Sequence, residues 1–210
     1  MSGADNPRRH NRDDVARIAL RILDDFGLPD LTMRRLAAAL DVQPSALYWH
    51  YPNKQALLAE LANRIVSPPS SGRPDQPRGV RDEAAALRDS LLAYRDGAEV
   101  VSSTLALGLG PDVAGTRLAE AIVTDGFDEL TARRAAQTLL HFVLGHVSHE
   151  QQRMQYDSLG VLAASAGSTG SPAASASSAS SASEHDDSST EFAFGVDLLV
   201  NGLEYSRSRR

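Results

Sequence analysis

LTMRRLAAALDVQPSALYWHYPNKQALL, residues 31–58, reads as two short helices joined by a tight turn and followed by the start of a third. Thr32 is a good N-cap, and Leu36, Ala37 and Leu40 recur behind it at helical spacing. Asp41-Val42 interrupts that run with no glycine at the corner. Pro44 suits the first turn of the next helix, where its missing N–H has no intrahelical partner. The spacing predicts that this second helix runs from Ser45 to about Tyr51. Pro52 closes it, because the residue before a proline avoids the helical region. Two helices across such a turn form a helix-turn-helix, whose second helix can enter a major groove.

The side chains suit that task. Thr32, Arg34, Gln43, Ser45, Tyr48, His50 and Lys54 place donors at the tip, where cations and hydroxyls can reach phosphate oxygens or base edges. Leu36, Leu40, Val42 and Leu47 are the apolar set that packs the helices together. A surface helical hairpin whose aromatic cluster serves only as core would show the same pattern.

The motif resembles the DNA-binding domain of the tetracycline-repressor (TetR) family, and the likeness covers about residues 12–65. Ser45-Ala46-Leu47-Tyr48-Trp49-His50-Tyr51 followed by Asn53-Lys54 matches the family's recognition helix and the start of its fourth helix. Tyr48-Trp49-His50 is closer to the tetracycline-repressor branch than to the wider family. The resemblance implies a recognition helix in the major groove, with Lys54 on a phosphate at a helix N-terminus. It extends the expected DNA-facing set to Met33, Pro44, Ala46 and Trp49.

Outward from the motif, Val15, Ile18, Ala19, Ile22 and Leu23 form an apolar stripe that ends at Gly27, predicting a bracing helix in which Phe26 and Leu28 close the small core. Residues 1–11 read as a disordered arm, with Arg8, Arg9 and Arg12 as candidate reaches to a neighbouring groove or phosphate. The expected DNA-binding domain is 12–66, with its motif at about 32–51. The stretch SPPSSGRPDQPRG, residues 67–79, holds four prolines and two glycines and marks a linker.

The second half, 80–206, is expected to be a helical regulatory and dimerisation domain. A helical pattern runs from Val80 to Leu105 with a possible break at Gly97. Another starts near Pro111 and stops at Gly126. A long one runs from Thr131 to about Met154, where Ala136 and Gly145 allow close helix approach. Residues 161–190 hold 21 Ser, Ala and Gly in 30 positions and read as a disordered loop. Glu191 to Tyr205 returns as a helix apolar nearly all round. This helix and the long one predict a four-helix bundle with a second copy. The expected fold class is all-α: a three-helix DNA-binding domain followed by a helical ligand-binding and dimerisation domain.

Composition bounds the function. At 210 residues and 42% hydrophobic, the chain is long enough for two cores. It has no cysteine, which excludes disulfides and thiolate metal sites. No apolar run reaches membrane-spanning length and no signal core opens the chain, so the expected location is the cytoplasm. The net charge of −6 is unevenly spread: residues 1–70 carry nine Lys/Arg against eight Asp/Glu, and residues 71–210 carry twelve against nineteen. The head is therefore near neutral, and non-specific affinity for DNA should be modest.

The segments Leu91–Ala98, Asp125–Phe127, His141–Gly145 and Phe194–Glu204 also resemble the TetR regulatory domain, which implies a dimer and a helical inducer pocket. It also implies that a ligand shifts the fourth helix and separates the recognition helices. Position by position, Thr104 and His141 match the family's inducer contacts. Val101 stands where the family has a metal-binding histidine, and His149 where it has a second-subunit glutamate. Glu83 and Leu87 replace an asparagine and a phenylalanine, and Leu105-Ala106 replaces an arginine-proline. With those polar anchors missing, a magnesium–tetracycline chelate should bind weakly, and the expected inducer is apolar with a few polar groups. No cofactor or metal is expected.

The resulting expectation is a ligand-responsive repressor that binds double-stranded operator DNA as a homodimer and is released by a small-molecule inducer. Two alternatives stand beside it. One is a DNA-binding activator without an inducer. The other is a helical enzyme using His146, His149 and Glu150, two of which could hold a metal if a third ligand came from elsewhere. No nucleophile motif or phosphate loop supports the enzyme, since Gly108-Leu109-Gly110 is too short to count.

Overall fold

The structure is a computed structural model that describes residues 10–67, 78–110, 112–158 and 177–208. Among these residues every regular element is an α-helix, and no helix is long and apolar enough to cross a membrane. The helices are α1 (Arg12–Phe26), α2 (Met33–Ala39), α3 (Pro44–Leu47), α4 (Lys54–Val66), α5 (Val80–Leu92), α6 (Gly97–Ala106), α7 (Val113–Thr124), α8 (Glu129–Ser158) and α9 (Ser177–Ser208). They divide into two compact units, Met1–Ile65 with Tyr94–Pro111, and Val66–Ala93 with Asp112–Arg210.

In the first unit, α1 opens on a capping box: Asn11 Oδ1 accepts from Asp14 N, and the Asp14 carboxylate accepts from Asn11 N. Val15, Ala16, Ala19, Ile22 and Leu23 bury one face. Gly27, at φ 84°, ends the helix, with its N–H on Leu23 O at 2.8 Å. Thr32 caps α2 through Oγ1, which accepts from Arg35 N. The corner is made by Asp41 at φ 53°, a left-handed position that aspartate tolerates better than most residues, so no glycine is needed.

Four expectations change here. The second helix of the motif is four residues long rather than seven. Leu47 O accepts from both His50 N and Tyr51 N, and the fully buried Tyr51 leaves the helical path to donate its hydroxyl to Arg12 O at 3.1 Å. Phe26 does not close the core: it is 46% exposed, with the Arg35 guanidinium 3.7 Å above its ring. The arm does not run to residue 11, because His10 Nε2 donates to Leu40 O and Asn11 caps α1. Arg12 is not free to reach DNA. It lies over the Tyr51 ring at 4.8 Å and pairs with Glu60. Residues 1–9, with Arg8 and Arg9, lie outside the described residues.

The predicted helix from Val80 to Leu105 is two helices in different units. The chain breaks at Ala93–Asp96, with Asp96 at φ 56°. Asp96 Oδ2 accepts from Leu28 N at 2.7 Å and Arg95 N donates to Asp24, which fastens α6 to the C-terminal end of α1. The first unit therefore extends beyond the expected 12–66.

In the second unit α5, α7, α8 and α9 pack on one another. The core is Leu87 and Leu91 of α5, Leu118 and Ile122 of α7, Leu139, Leu140, Val143 and Val147 of α8, and Phe192, Val196 and Val200 of α9. Burying each large apolar side chain contributes about 1.5–3 kcal/mol. α8 and α9 approach so closely that a Cβ at Gly195 would collide with the Phe142 ring. Two ion pairs flank this core, one buried on both sides and one half-buried. Arg88 gives a two-pronged contact to Glu150, at 2.6 and 3.1 Å, and Arg117 meets Glu83 at 2.6 Å.

One expectation changes in this unit as well. α9 begins at Ser177, so 177–190 of the expected loop is helix, while 161–176 lies outside the described residues. Alanine is the best helix former, and once Phe192, Val196 and Val200 anchor the helix each added residue is cheap to order. Within one chain α9 leaves Phe194, Leu198 and Tyr205 69%, 64% and 63% exposed along one stripe.

Candidate nucleic-acid interface

Leu36, Ala37 and Leu40 of α2, Leu47 of α3 and Tyr51 are buried, and together they fix how the two helices of the motif cross. What they leave outside is the expected DNA set. Trp49, the chain's one tryptophan, is 90% exposed and Tyr48 is 52% exposed. Arg34, Gln43, Pro44, Ser45 and Thr32 are also exposed, whereas Met33, Ala46, His50 and Lys54 are half-buried. Gln43 occupies the N-cap of α3 without a side-chain capping bond, leaving its amide available. Arg34 and Arg35 separate in role, since Arg35 is held by Asp30 and the Phe26 ring while Arg34 projects into solvent.

Lys54 stands at the first position of α4. Asn53 Oδ1 accepts from Ala56 N at 2.7 Å and caps that helix, leaving the positive end of its dipole beside the lysine. Behind this face a charged network stiffens the unit: Arg64 of α4 reaches Glu60 at 2.8 Å and Asp13 of α1 at 2.7 Å. Partial burial would lower the Arg64 pKa, but its bonds to Glu60 and Asp13 outweigh that and raise it. Burial raises the Tyr51 hydroxyl pKa as well.

The expected ligand positions are less uniform. Leu87, Val101 and Thr104 are buried and Leu105 is half-buried. Thr104 Oγ1 donates to Val101 O in its own helix. Glu83 is buried but engaged by Arg117, a partner that the sequence pattern did not reveal because the two lie 34 positions apart. His141 and His149 are exposed on α8, so His141 is not a core histidine of the single chain. The His146/His149/Glu150 cluster does not form. Glu150 turns inward to Arg88, and His146 packs between Phe142 and Phe192 with Nε2 donating to Ser188 O at 3.3 Å. No group of three metal-ligating side chains occurs among the described residues. A cleft of about 680 Å³ lies between α7 and α8, with Gly115, Ala119 and Val123 on one side and Glu129, Arg133 and Gln137 on the other. None of the expected ligand residues lines it.

The sequence profile of bacterial regulatory proteins of the tetR family matches residues 17–61, and that of the tetracyclin repressor-like C-terminal domain matches residues 69–207. The chain belongs to the TetR family. The tetracycline repressor protein class D of Escherichia coli is 32% identical over 202 residues, which cover 93% of this chain and 90% of that one. Among solved structures, BioQ with its double-stranded DNA operator is 35% identical, covers 92% of this chain and 98% of its own, and superposes with a TM-score of 0.67. A TetR variant from Acinetobacter baumannii AYE in complex with minocycline is 29% identical, covers 94% and 98%, and also superposes at 0.67.

Proposed function

We propose that this TetR-family chain is a ligand-responsive repressor. It binds double-stranded operator DNA as a homodimer through α2, α3 and the start of α4, and it is released when a small molecule enters the helical regulatory domain. The observation that carries this reading is the exposed Arg34, Gln43, Ser45, Tyr48 and Trp49 set on a buried Leu36–Leu40–Leu47 frame. Trp49, 90% exposed, lies beside Tyr48, 52% exposed, and a contiguous exposed aromatic patch marks an interaction surface. Structural relatives support both halves of the reading, one solved on its operator and one with minocycline.

The proposed DNA contacts are Thr32, Met33, Arg34, Gln43, Pro44, Ser45, Ala46, Tyr48, Trp49, His50 and Lys54. The proposed dimer seam is the exposed Phe194, Leu198 and Tyr205 stripe of α9 beside His141, Gly145 and His149 of α8. Gly145 and Gly202 have open space above them, which lets a second helix approach. A charged substitution on that stripe would place an unpaired charge in the seam. The proposed inducer positions are Glu83, Leu87, Val101, Thr104, Leu105, His141 and His149, for a ligand with an apolar body rather than a magnesium–tetracycline chelate. The protein works in the cytoplasm, where operator DNA is found.

Footprinting the purified protein on the DNA upstream of its own coding sequence tests the reading. A protected, dyad-symmetric site with half-sites about one helical turn apart, roughly 34–36 Å, supports it. A failure to protect any sequence at protein concentrations above non-specific binding refutes it.

A further inference from the structure

α3, the helix at the centre of the exposed recognition set, is four residues long, and Gln43 at its N-cap makes no side-chain capping bond. So short a helix has almost no hydrogen bonds of its own to hold its course. Its direction is set from outside. Leu47, 1% exposed, anchors its inner face. Both of its flanks are tied to one stretch of chain, His10–Arg12, which leads into α1. On the near side, Leu40 closes α2, and a carbonyl at that position has no intrahelical donor. His10 Nε2 donates to it at 3.0 Å. Asp41 N and Val42 N, at the corner, turn back to Ala38 O and Ala37 O at 3.2 and 3.0 Å. On the far side, the fully buried Tyr51 donates its hydroxyl to Arg12 O at 3.1 Å, with the Arg12 guanidinium 4.8 Å over its ring. Between the two ties, Asn11 is locked by its capping box with Asp14, so the strap is itself held in place. All of these residues belong to the first compact unit.

We propose that His10 and Tyr51 are positioning residues of the recognition helix. From a common strap they hold the two flanks of α3 and set the angle at which Gln43, Ser45, Tyr48 and Trp49 meet base edges. The proposal rests on the operator-binding reading above and adds two determinants of specificity, one ahead of α1 and one in the core. Hydrogen bonds to base edges weaken steeply with misalignment, whereas phosphate contacts carry no sequence information. Loosening the strap therefore costs discrimination rather than general affinity for DNA.

The test uses the full chain, well below its thermal midpoint. His10→Leu keeps bulk without the donor, His10→Gln restores an N–H donor on a side chain of similar reach, and Tyr51→Phe removes only the hydroxyl. Fluorescence anisotropy reads affinity for operator and for scrambled DNA, and hydrogen exchange reads residues 41–51. His10→Leu and Tyr51→Phe should each weaken operator binding about fivefold, with scrambled-DNA affinity and the salt slope unchanged. Exchange over 41–51 should be about fivefold faster in both. His10→Gln should stay within about twofold of wild type. A merely structural role would lower the folded fraction and weaken binding to both DNAs alike. Wild-type operator affinity in either His10→Leu or Tyr51→Phe, or a loss shared by both DNAs, overturns the proposal. If the wild-type protein binds no DNA, the operator-binding reading fails; faster exchange over 41–51 in His10→Leu then still supports the strap, and unchanged exchange overturns it.

Discussion

Lys54 offers the sharpest quantitative test of the DNA face. It is the first residue of α4, beside a helix N-terminus capped by Asn53, and among the described residues it pairs with no carboxylate. An unpaired lysine on a positive helix end is suited to one phosphate oxygen. Each phosphate neutralised on B-DNA contributes about 0.9 to the slope of log affinity against log salt, so Lys54→Ala in a homodimer should reduce that slope by about 1.8. Between 50 and 200 mM salt, the variant should lose about twelvefold less affinity than the wild-type protein loses over the same range. The loss at any one salt concentration should be equal on operator and on scrambled DNA, because a phosphate contact carries no base information. The assay is anisotropy with both DNAs across a salt series. An unchanged slope, or a loss confined to the operator, would refute the assignment of Lys54 to phosphate. Gln43→Ala serves as the internal contrast: it should leave the slope alone and relax discrimination at one base pair by about 1–3 kcal/mol.

Three further outcomes follow from the geometry. Glu150→Ala leaves the Arg88 guanidinium, whose side chain is 8% exposed, with only the longer Asp89 pair at 3.9 Å and the Phe192 ring, and should cost up to about 3–5 kcal/mol in urea unfolding; replacing the pair together with Leu and Met should recover most of that. Leu198→Glu should give a monomer or an aggregate in sedimentation, since it puts a charge on the exposed α9 stripe, and an intact dimer would remove that stripe from the seam. Asp14 has its pKa lowered, first by the hydrogen bond from Asn11 N and then by Arg17, so its contribution is present at neutral pH and is lost as pH falls through the depressed value. Asp14→Asn should flatten the acid limb of the thermal midpoint against pH, and an unchanged limb would show that the capping box contributes nothing there.

Much of the head was legible in the sequence because its signals are local. Thr32 before a helical run, Pro44 at a first turn and Gly27 after an apolar stripe each act within four residues, and each stands where expected. The long-range contacts were not legible. Nothing near Tyr51 announces that its hydroxyl bonds Arg12 O, 39 positions away, yet that bond helps shorten α3. The resemblance places Glu83 in the pocket and helical spacing places Glu150 beside His146, and neither signal can say that Arg117 and Arg88 already engage them. The Ser/Ala stretch misled for a different reason. Composition reports that a segment cannot bury apolar surface, but α9 needs little burial at 177–190 once its apolar end is anchored.

The Asp96 contact with Leu28 N bears on how this protein can be cut and rejoined. A fragment ending after α4 would strip the acceptor from Leu28 and leave the left-handed Gly27 turn facing solvent. The modular boundary implied by residues 12–66 is therefore not a clean excision point. In a chimera that grafts this head onto another TetR-family body, residues 94–110 would have to travel with it as a second, discontinuous piece. A donor body that keeps its own α6 would need an aspartate at the equivalent of 96 to receive the head.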